Sequence, residues 1–341
     1  MKARLPLYLG IDCGATTSKT GAIDCDGEIV TRRLHQSDTA AAEGAYAIVR
    51  GWIEGCRGFL ATHGFTWNDV AGVGLAIPGP YLDHGVLGPM PNMRASLTGW
   101  HFLDALGTAI AEAAGRAIPV STANDGQLAG LPEARIVQKI APGGVLVFAP
   151  GSGLGCSYVN ADGRLLTGDH GAAVILCHMP APHERLGLPA FRCGCGRDWG
   201  CFEAYTSISG LPQYLTHLLP RFPDHELAKA GPPDKTMALS LRSRARDGDP
   251  LALEIFAMQA RALGHAAAVG CMAYDPTHIV IGGGLMDHLA TTAGFRARYL
   301  EHVRAGTAEC HWGDMDDLHF HEASLGELSQ AIGAALLARN Y

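Results

Sequence analysis

The chain has 341 residues, 48% of them hydrophobic and 17% charged, which is typical of a globular protein long enough for two domains. Its net charge of −7, without runs of like charge, argues against a nucleic-acid-binding surface, which would need a basic surplus. The N-terminal apolar run is short, so we expect neither a secretory signal nor a membrane span.

The first predicted element is a buried strand over residues 5–11, which ends at Asp12. It enters a polar, glycine-containing loop from Cys13 to Thr20, and a strand that feeds such a loop commonly presents backbone N–H groups to phosphate. Helical spacing follows over residues 41–62. The sequence therefore begins with a candidate phosphate loop.

A second core strand is predicted over residues 70–77, ending at Pro78-Gly79. A helix over 98–114 and a short strand over 119–122 then lead to Asn124-Asp125-Gly126. This segment follows a strand end, where α/β sheets place their chemistry. The alternative is an ordinary turn between strand and helix.

The strand–loop pattern then repeats. Residues 143–149 predict a strand, Pro150–Cys156 a glycine loop, and 157–159 a returning strand before the Asp162-Gly163 turn, as Asp26-Gly27 follows the first loop. This duplication predicts an α/β fold of two related domains that close on one cleft. We expect a smaller domain of residues 1–121 plus about 325–341, and a larger one of residues 122–324.

The remaining elements are less regular. Prolines interrupt residues 204–248, to which we assign no role. Asp249-Pro250 predicts the start of a long helix to about residue 273, and a strand over 277–281 precedes Gly282–Gly284, which we expect to open the next helix. A terminal helix follows Ser324-Leu-Gly-Glu327, which has capping-box spacing.

A cysteine cluster gives a candidate metal site. Cys193, Cys195 and Cys201 lie among glycines, with His178 fifteen residues upstream. Zn²⁺ prefers thiolate and imidazole ligands in a closed shell of four, so we predict a structural zinc site. The alternative is three buried cysteines beside an unrelated histidine. Ten cysteines without a secretory signal favour a reducing compartment, and we expect a cytoplasmic protein.

These motifs, in this order, resemble the ROK family of bacterial sugar kinases and related proteins, within the larger group that shares the actin and hexokinase fold. The resemblance spans nearly the whole chain. It rests on D-x-G-x-T at Asp12, Pro-Gly at Pro78, Asn-Asp at Asn124, G-x-G-x-G at Gly151, C-x-C-G…G-C-x-E at Cys193 and G-G-G at Gly282. It implies two ribonuclease H-like domains around a cleft.

The resemblance implies an ATP-dependent sugar kinase that uses Mg²⁺ and carries Zn²⁺ bound by the histidine and three cysteines. The chain contains no G-x-x-x-x-G-K-[ST] motif, so its phosphate loops differ from the Walker type. Taken singly, each glycine cluster is more often an ordinary tight turn. The residues implied at the nucleotide are Asp12, Gly14, Thr16, Thr17 and Lys19, then Gly151, Ser152, Gly153 and Gly155, then Gly283 and Gly284.

At the acceptor, the resemblance implies that Asp125 takes the proton of the sugar hydroxyl. The sugar would be a hexose, of the glucose or N-acetylglucosamine type. The residues implied to bind it are Gly79, Asn92, Asn124, Asp125, His178 and Glu203. The resemblance also implies a homodimer, with no nucleic acid and no membrane as partner.

The sequence departs from the family pattern at two places. Arg197-Asp198-Trp199 puts three residues where the cysteine motif usually has two. More seriously, the family's G-E-x-G-H segment is Val174–His178 here, so Ile175 replaces a sugar-binding glutamate. The acceptor could then be a modified sugar or a cyclitol, unless Asp169 or His170 restores the contact.

Two other functions compete with the kinase. ROK repressors keep this sugar-binding body but add an N-terminal helix-turn-helix, for which we expect no room before Leu5. A sugar sensor without turnover would fit Ile175, whereas the presence of Asp12 and Asp125 argues against it.

Overall fold

The computed structural model describes residues 3–89 and 97–340. Its strands are β1 (Leu7–Cys13), β2 (Thr17–Ile23), β3 (His35–Asp38), β4 (Val70–Ile77), β5 (Tyr81–Asp83), β6 (Val86–Leu87), β7 (Val120–Asn124), β8 (Val145–Pro150), β9 (Leu154–Val159), β10 (His278–Ile281) and β11 (His319–Glu322). Its helices are α1 (Ala45–His63), α2 (Phe102–Ala114), α3 (Asp125–Ile140), α4 (Phe202–Thr206), α5 (Leu211–Leu218), α6 (Glu226–Lys229), α7 (Lys235–Arg246), α8 (Pro250–Tyr274), α9 (Ala293–Cys310) and α10 (Ser329–Asn340).

The chain divides into two compact units. The first comprises Met1–Arg135, Leu165–Val174 and Glu327–Tyr341, and the second comprises Ile136–Arg164 and Ile175–Gly326. The fold is α/β, as predicted. The division that we predicted between residues 121 and 122 remains a prediction.

The first unit is built on a five-stranded sheet in the order β3-β2-β1-β4-β7. Strands β1, β4 and β7 are parallel, and β2 returns antiparallel to β1. Leu9 and Ile11 point from β1 into an apolar core that also contains Trp52, Phe59 and Phe102 from the helices. Burial of these large side chains fixes which face of the sheet α1 and α2 cover.

The opposite face of this sheet is covered by α10, which approaches the backbone closely. A Cβ atom at Gly10 would collide with the carbonyl of Ala331, and one at Gly74 with the carbonyl of Ala334. On the far side of the helix, a Cβ at Gly333 would collide with the backbone of α3. Glycine is therefore required where α10 packs against the first sheet and against α3.

The second unit is built on a four-stranded sheet in the order β11-β10-β8-β9. Strand β10 is parallel to β8 and to β11, and β9 returns antiparallel to β8. Helix α8 packs against α9 at Gly264 and Gly306, where a Cβ atom would strike the partner helix's backbone. These contacts hold the longest helix in the core of the unit.

Most predicted elements are present. Strands β1, β4 and β8 lie where apolar runs predicted them, and α8 begins after Asp249, whose carboxylate accepts a hydrogen bond from Ala252 N. One prediction is wrong: Gly282–Gly284 does not open a helix, because α9 begins at Ala293. Among the described residues, no helix is long and apolar enough to cross a membrane.

Candidate active site

The predicted catalytic residues of the first unit lie at one edge of its sheet. Because β1, β4 and β7 are parallel, their carboxyl ends meet at the same edge. The register pairs Asp12 with Ala76 and Ala76 with Ala123, and Asp125 follows two residues later as the first residue of α3. We call Asp12, Gly79, Asn124 and Asp125 the acidic edge.

The charged form of the Asp12 carboxylate is destabilised by its surroundings. Burial and, to a smaller extent, the negative charge of Asp125 raise its pKa to about 6, although Lys19 opposes the shift. The Lys19 ammonium group is itself paired with Glu327, at 2.8 Å. The charged form of a buried carboxylate beside another carboxylate is stabilised by a nearby cation, so Asp12 has the properties of a Mg²⁺ ligand.

Asp125 is also desolvated. Burial raises its pKa, although a hydrogen bond from Gly126 N to its Oδ1, at 2.8 Å, opposes the shift. The same N–H group lies 3.0 Å from Oδ1 of Asn124, whose side-chain amide is next to Gly79. A carboxylate with a raised pKa at a strand end has the properties of a general base. The predicted sugar ligand Asn92 lies outside the described residues.

The candidate phosphate loop after β1 is supported by Thr39, which the sequence analysis did not identify. Its hydroxyl donates to the carbonyl of Gly14 at 2.8 Å and lies 2.8 Å from the hydroxyl of Ser18. Its backbone N–H donates to the carbonyl of Thr16, at 3.0 Å. Thr39 therefore fixes both arms of the loop while Thr16 stays exposed.

Tyr81 is a second residue that sequence reasoning missed. Its pKa is raised by burial and by the negative charge of Asp125, which places it close to the acidic edge. Its hydroxyl donates to the carbonyl of Ile77 at 2.5 Å. The short strand β5 that carries Tyr81 has no distinctive sequence pattern.

In the second unit, glycine loops occupy the corresponding strand ends. We call Gly151–Gly155 and Gly282–Gly284 the glycine edge. Gly283 has φ +77°, and a Cβ atom there would collide with the carbonyl of Pro150, so the two loops are in direct contact. At Gly153 a Cβ would lie 2.6 Å from Oε2 of Glu203. At Gly283, where the near atoms are backbone and φ is positive, only glycine allows this approach.

The glycine edge borders a mainly apolar cavity. Gly151 and Gly284 both line it, so the structure brings the second phosphate loop and the predicted adenosine segment together. Helix α7, from the stretch to which we assigned no role, contributes Leu239 and Arg242. Arg242 Nη1 donates to the carbonyl of Gly284, at 3.1 Å.

The predicted zinc ligands also come together. Ligand atoms of His178, Cys193, Cys195 and Cys201 all lie within 4.8 Å of one another. The Cys195 and Cys201 sulfurs are 3.7 Å apart, and Cys193 Sγ lies 3.7 Å from His178 Nδ1. Zn–S bonds of about 2.3 Å at tetrahedral angles place two sulfurs about 3.8 Å apart, so these residues fit Zn²⁺.

Two neighbours complete this cluster. Trp199, from the three-residue segment that departs from the family pattern, donates its indole N–H to Cys201 Sγ at 3.1 Å. Glu203 lies within reach of His178, and its Oε1 accepts from Cys193 Sγ at 3.4 Å. Oε2 of Glu203 accepts from Leu154 N at 3.0 Å. Glu203 therefore links the cysteine cluster to the glycine edge.

The sequence matches the model of the ROK family over residues 8–341. The chain belongs to the ROK family. A glucokinase of Halalkalibacterium halodurans is 29% identical over 282 residues, 82% of this chain and 80% of that protein. An N-acetyl-D-glucosamine kinase of Erwinia tasmaniensis is 24% identical over 311 residues, 87% of this chain and 90% of that protein.

Among solved structures, the fold matches that of a ROK family glucokinase from Streptomyces griseus in complex with glucose and AMPPNP. The TM-score is 0.72 at 25% identity, with 98% of this chain and 100% of that chain covered. The actin and hexokinase-like fold predicted from the sequence is therefore confirmed for this ROK chain.

The segment in which this ROK chain departs from its family has an unusual backbone. Val174 stands where the family pattern has glycine, and its φ of +60° lies in the left-handed region that glycine favours. Ile175 follows with 36% of its surface exposed, at the start of the short 3-10 helix that carries His178. Gln127 Nε2 of α3 donates to the carbonyl of Ala173, at 2.9 Å. The left-handed residue Val174 is thus followed by an isoleucine and not by a glutamate.

Proposed function

We propose that this ROK protein is an ATP-dependent sugar kinase, with a hydroxyl of a hexose or hexose-like molecule as the phosphoryl acceptor. The observation that carries the proposal is the desolvated carboxylate of Asp125 at the acidic edge, beside Asp12. Relatives named for glucose and N-acetyl-D-glucosamine, and the fold shared with a glucokinase bound to glucose and AMPPNP, support the same activity.

In the proposed reaction, Asp125 accepts the proton of the attacking sugar hydroxyl. The sugar oxygen forms a bond to the γ-phosphorus as the bond between that phosphorus and the β,γ-bridging oxygen breaks, and ADP leaves with the bond's electron pair. The raised pKa of Asp125 makes its carboxylate a better proton acceptor. Asn124 and Gly79, beside it, would orient neighbouring hydroxyls.

The nucleotide would lie along the glycine edge. Adenosine would lie at the cavity between Gly284 and α7, and backbone N–H groups of Gly151–Gly153 would meet the phosphates. Asp12 would hold hydrated Mg²⁺, which supplies charge neutralisation when bound. Thr39 keeps the Gly14–Thr16 loop in place for this task.

We assign the cysteine cluster a structural Zn²⁺ ion, which would be held by His178, Cys193, Cys195 and Cys201. Elemental analysis of protein purified without chelator should find this zinc, and Cys195→Ser should lower its retention. Cys25→Ser, which removes a half-buried thiol elsewhere, is the matched control. Equal zinc in the Cys195 variant and the control would contradict the assignment.

Glucose or N-acetylglucosamine is the acceptor that the family favours, and Ile175 favours a modified sugar or cyclitol instead. A coupled ADP-release assay over hexoses, N-acetylhexosamines, amino sugars and cyclitols separates these possibilities. No ADP release with any acceptor would favour a sugar sensor and overturn the kinase. The proposed homodimer is tested by light scattering.

A further inference from the structure

Gln127, on the first turn of α3, is fully buried and holds one loop of the first unit. Its side-chain Nε2 donates to the carbonyl of Ala173 at 2.9 Å and lies 3.4 Å from the carbonyl of Gly171. Both acceptors belong to the segment Leu165–Val174 of the same unit. Because the amide oxygen would be repelled by two carbonyls, they fix which end of the amide faces the loop.

The loop that Gln127 holds is closed on itself. The backbone N–H of Ala173 donates to the carbonyl of Thr167, at 3.0 Å. Between these two residues, Gly168 and Gly171 have φ of +76° and +70°, which allows the tight turn. Ala173 is therefore held on both sides, through its N–H group by Thr167 and through its carbonyl by Gln127.

The residue that follows the loop has a strained backbone. Val174 has φ +60°, a left-handed conformation that β-branched residues rarely adopt. Such strain persists only where neighbouring contacts impose it. The φ torsion of Val174 turns the peptide group that joins it to Ala173, and the oxygen of this group is the atom that Gln127 binds. Gln127 therefore restrains the strained torsion directly.

The loop also lies beside the proposed base. A Cβ atom at Gly171 would lie 3.2 Å from Cδ2 of Tyr81, so the loop contacts that ring. Burial and the negative charge of Asp125 raise the pKa of Tyr81, so the ring is close to this carboxylate as well. Gln127 follows Asp125 by two residues on α3. One helical turn thus carries both the proposed base and the residue that holds the loop.

The other end of the Gln127 amide contributes nothing to stability. Its Oε1 is buried and has no hydrogen-bond partner in the part of the chain that the structure describes. A buried oxygen without a partner is destabilising, and an apolar side chain of similar length would avoid that cost. The amide is therefore better explained by what its donor end does to the Ala173 carbonyl.

We propose that Gln127 is a positioning residue for acceptor binding. By holding the Ala173 carbonyl, it fixes the direction in which the chain passes through Val174 to Ile175, where the family pattern has its sugar-binding glutamate. A segment that is already held in one conformation loses less entropy when a ligand binds to it. The inference rests on the proposed kinase function and concerns affinity for the acceptor, not proton transfer.

Gln127→Met tests the inference, because it keeps the length of the side chain and removes its donors. With glucose or N-acetylglucosamine, the KM for the sugar should rise about fivefold to tenfold, while kcat and the KM for ATP stay within about twofold. Gln138→Met is the matched control, since Gln138 lies on the same helix and its Nε2 also donates to two backbone carbonyls. An unchanged sugar KM, or an equal change in all three constants, would overturn the inference.

Val174→Gly provides a rescue, because glycine adopts a positive φ without strain and does not need the restraint. In the Val174→Gly background, Gln127→Met should therefore raise the sugar KM by no more than about twofold. A rise as large as in the parent chain would overturn the mechanism. If Gln127→Met does not fold, Gln127→Glu keeps the shape of the amide, places an oxygen where the donor was, and gives the same comparison.

Two measurements separate this inference from the kinase assignment. Titration of the sugar without ATP gives dissociation constants, so a wild type that binds sugar but releases no ADP overturns the kinase and leaves the Gln127 comparison intact. Hydrogen exchange of the Ala173 and Val174 amides needs no ligand, and it should be faster in Gln127→Met than in Gln138→Met. Equal exchange in these two variants would show that Gln127 does not restrain the segment.

Discussion

The acidic edge and the glycine edge occupy equivalent places in two sheets of related topology. The order β2-β1-β4-β7 in the first unit corresponds to β9-β8-β10-β11 in the second, with a hairpin at the first strand of each. Strand β1 carries Asp12 one residue before its end at Cys13, and β7 leads into Asp125, whereas β8 and β10 lead into glycine loops.

The difference shows how one topology supports two kinds of site. A strand end that carries carboxylates concentrates negative charge. The raised pKa values of Asp12 and Asp125 show that their charged forms are destabilised there. A strand end that carries glycines instead brings backbone groups close together, as Gly283 and Pro150 are. The first suits proton transfer and the second suits a nucleotide.

The largest expected effect is at Asp125. Asp125→Asn keeps the shape of the side chain but removes the proton acceptor, so kcat should fall by about 10²–10⁴ while sugar binding is largely retained. ADP release and sugar titration measure the two quantities. Asp104→Asn, an exposed carboxylate on α2, is the control. Turnover within a few-fold of wild type would remove Asp125 from the chemistry.

The next largest effect is expected at Asp12 and concerns the free energy of unfolding. Its pKa is raised from 3.8 to about 6 in the folded protein, so folding favours the protonated form and the charged form is destabilising. The penalty is absent below about pH 4, grows between pH 4 and 6, and is complete above pH 6. Asp12→Asn should therefore raise the free energy of unfolding at pH 7 by about 1–3 kcal/mol.

Urea denaturation in Mg²⁺-free buffer at pH 7 and at pH 4.5 measures this difference. The increase in the free energy of unfolding that Asp12→Asn produces should be smaller at pH 4.5 than at pH 7. Asp83→Asn, an exposed carboxylate of the same unit, should show no such trend. A gain that is equal at both pH values would mean that charge is not its cause.

The corresponding test at the glycine edge adds a methyl group without changing any charge. Gly283→Ala places a Cβ against Pro150 at a positive φ, so the loop must shift, at about 1–3 kcal/mol of strain. We expect the KM for ATP to rise about tenfold while the KM for the sugar stays within twofold. Gly294→Ala, with no atom within 4 Å of the new Cβ, is the control. A selective rise in the sugar KM would contradict the assignment of this edge to the nucleotide.

The smallest effect is expected at Ile175, which belongs to neither edge. A buried sugar hydroxyl without its acceptor costs about 1–3 kcal/mol, so Ile175→Glu should lower the KM for glucose or N-acetylglucosamine about fivefold. Leu289→Glu, at an exposed leucine elsewhere, is the control. If the wild type already has a KM well below a millimolar and the glutamate brings no improvement, another side chain satisfies the hydroxyl.

Much of both edges follows from local sequence. Apolar runs predict β1, β4 and β8, because buried strands leave few polar side chains, and the polar or glycine residues that end them mark the site. The grouping of His178, Cys193, Cys195 and Cys201 was also predictable, since thiols and imidazole at close spacing have few other uses.

What escaped prediction depends on contacts between distant segments. Thr39, Tyr81 and Arg242 acquire their roles from neighbours far away in the sequence. Gly282–Gly284 was expected to open a helix, but Gly283 packs against Pro150 at φ +77°, and α9 starts only after Thr292 supplies an N-cap. Local spacing cannot reveal such packing.

The position of α10 has a consequence for synthesis of the protein. Residues Ser329–Asn340 cover β1 and β4, which are made first, and the carbonyls of the helix rest on Gly10 and Gly74. Until that helix leaves the ribosome, one face of the first sheet lacks its native cover, because the exit of a chain is sequential. The first unit therefore completes its fold only after the second unit has been made, and a chaperone that shields apolar strands would be needed longest at β1 and β4.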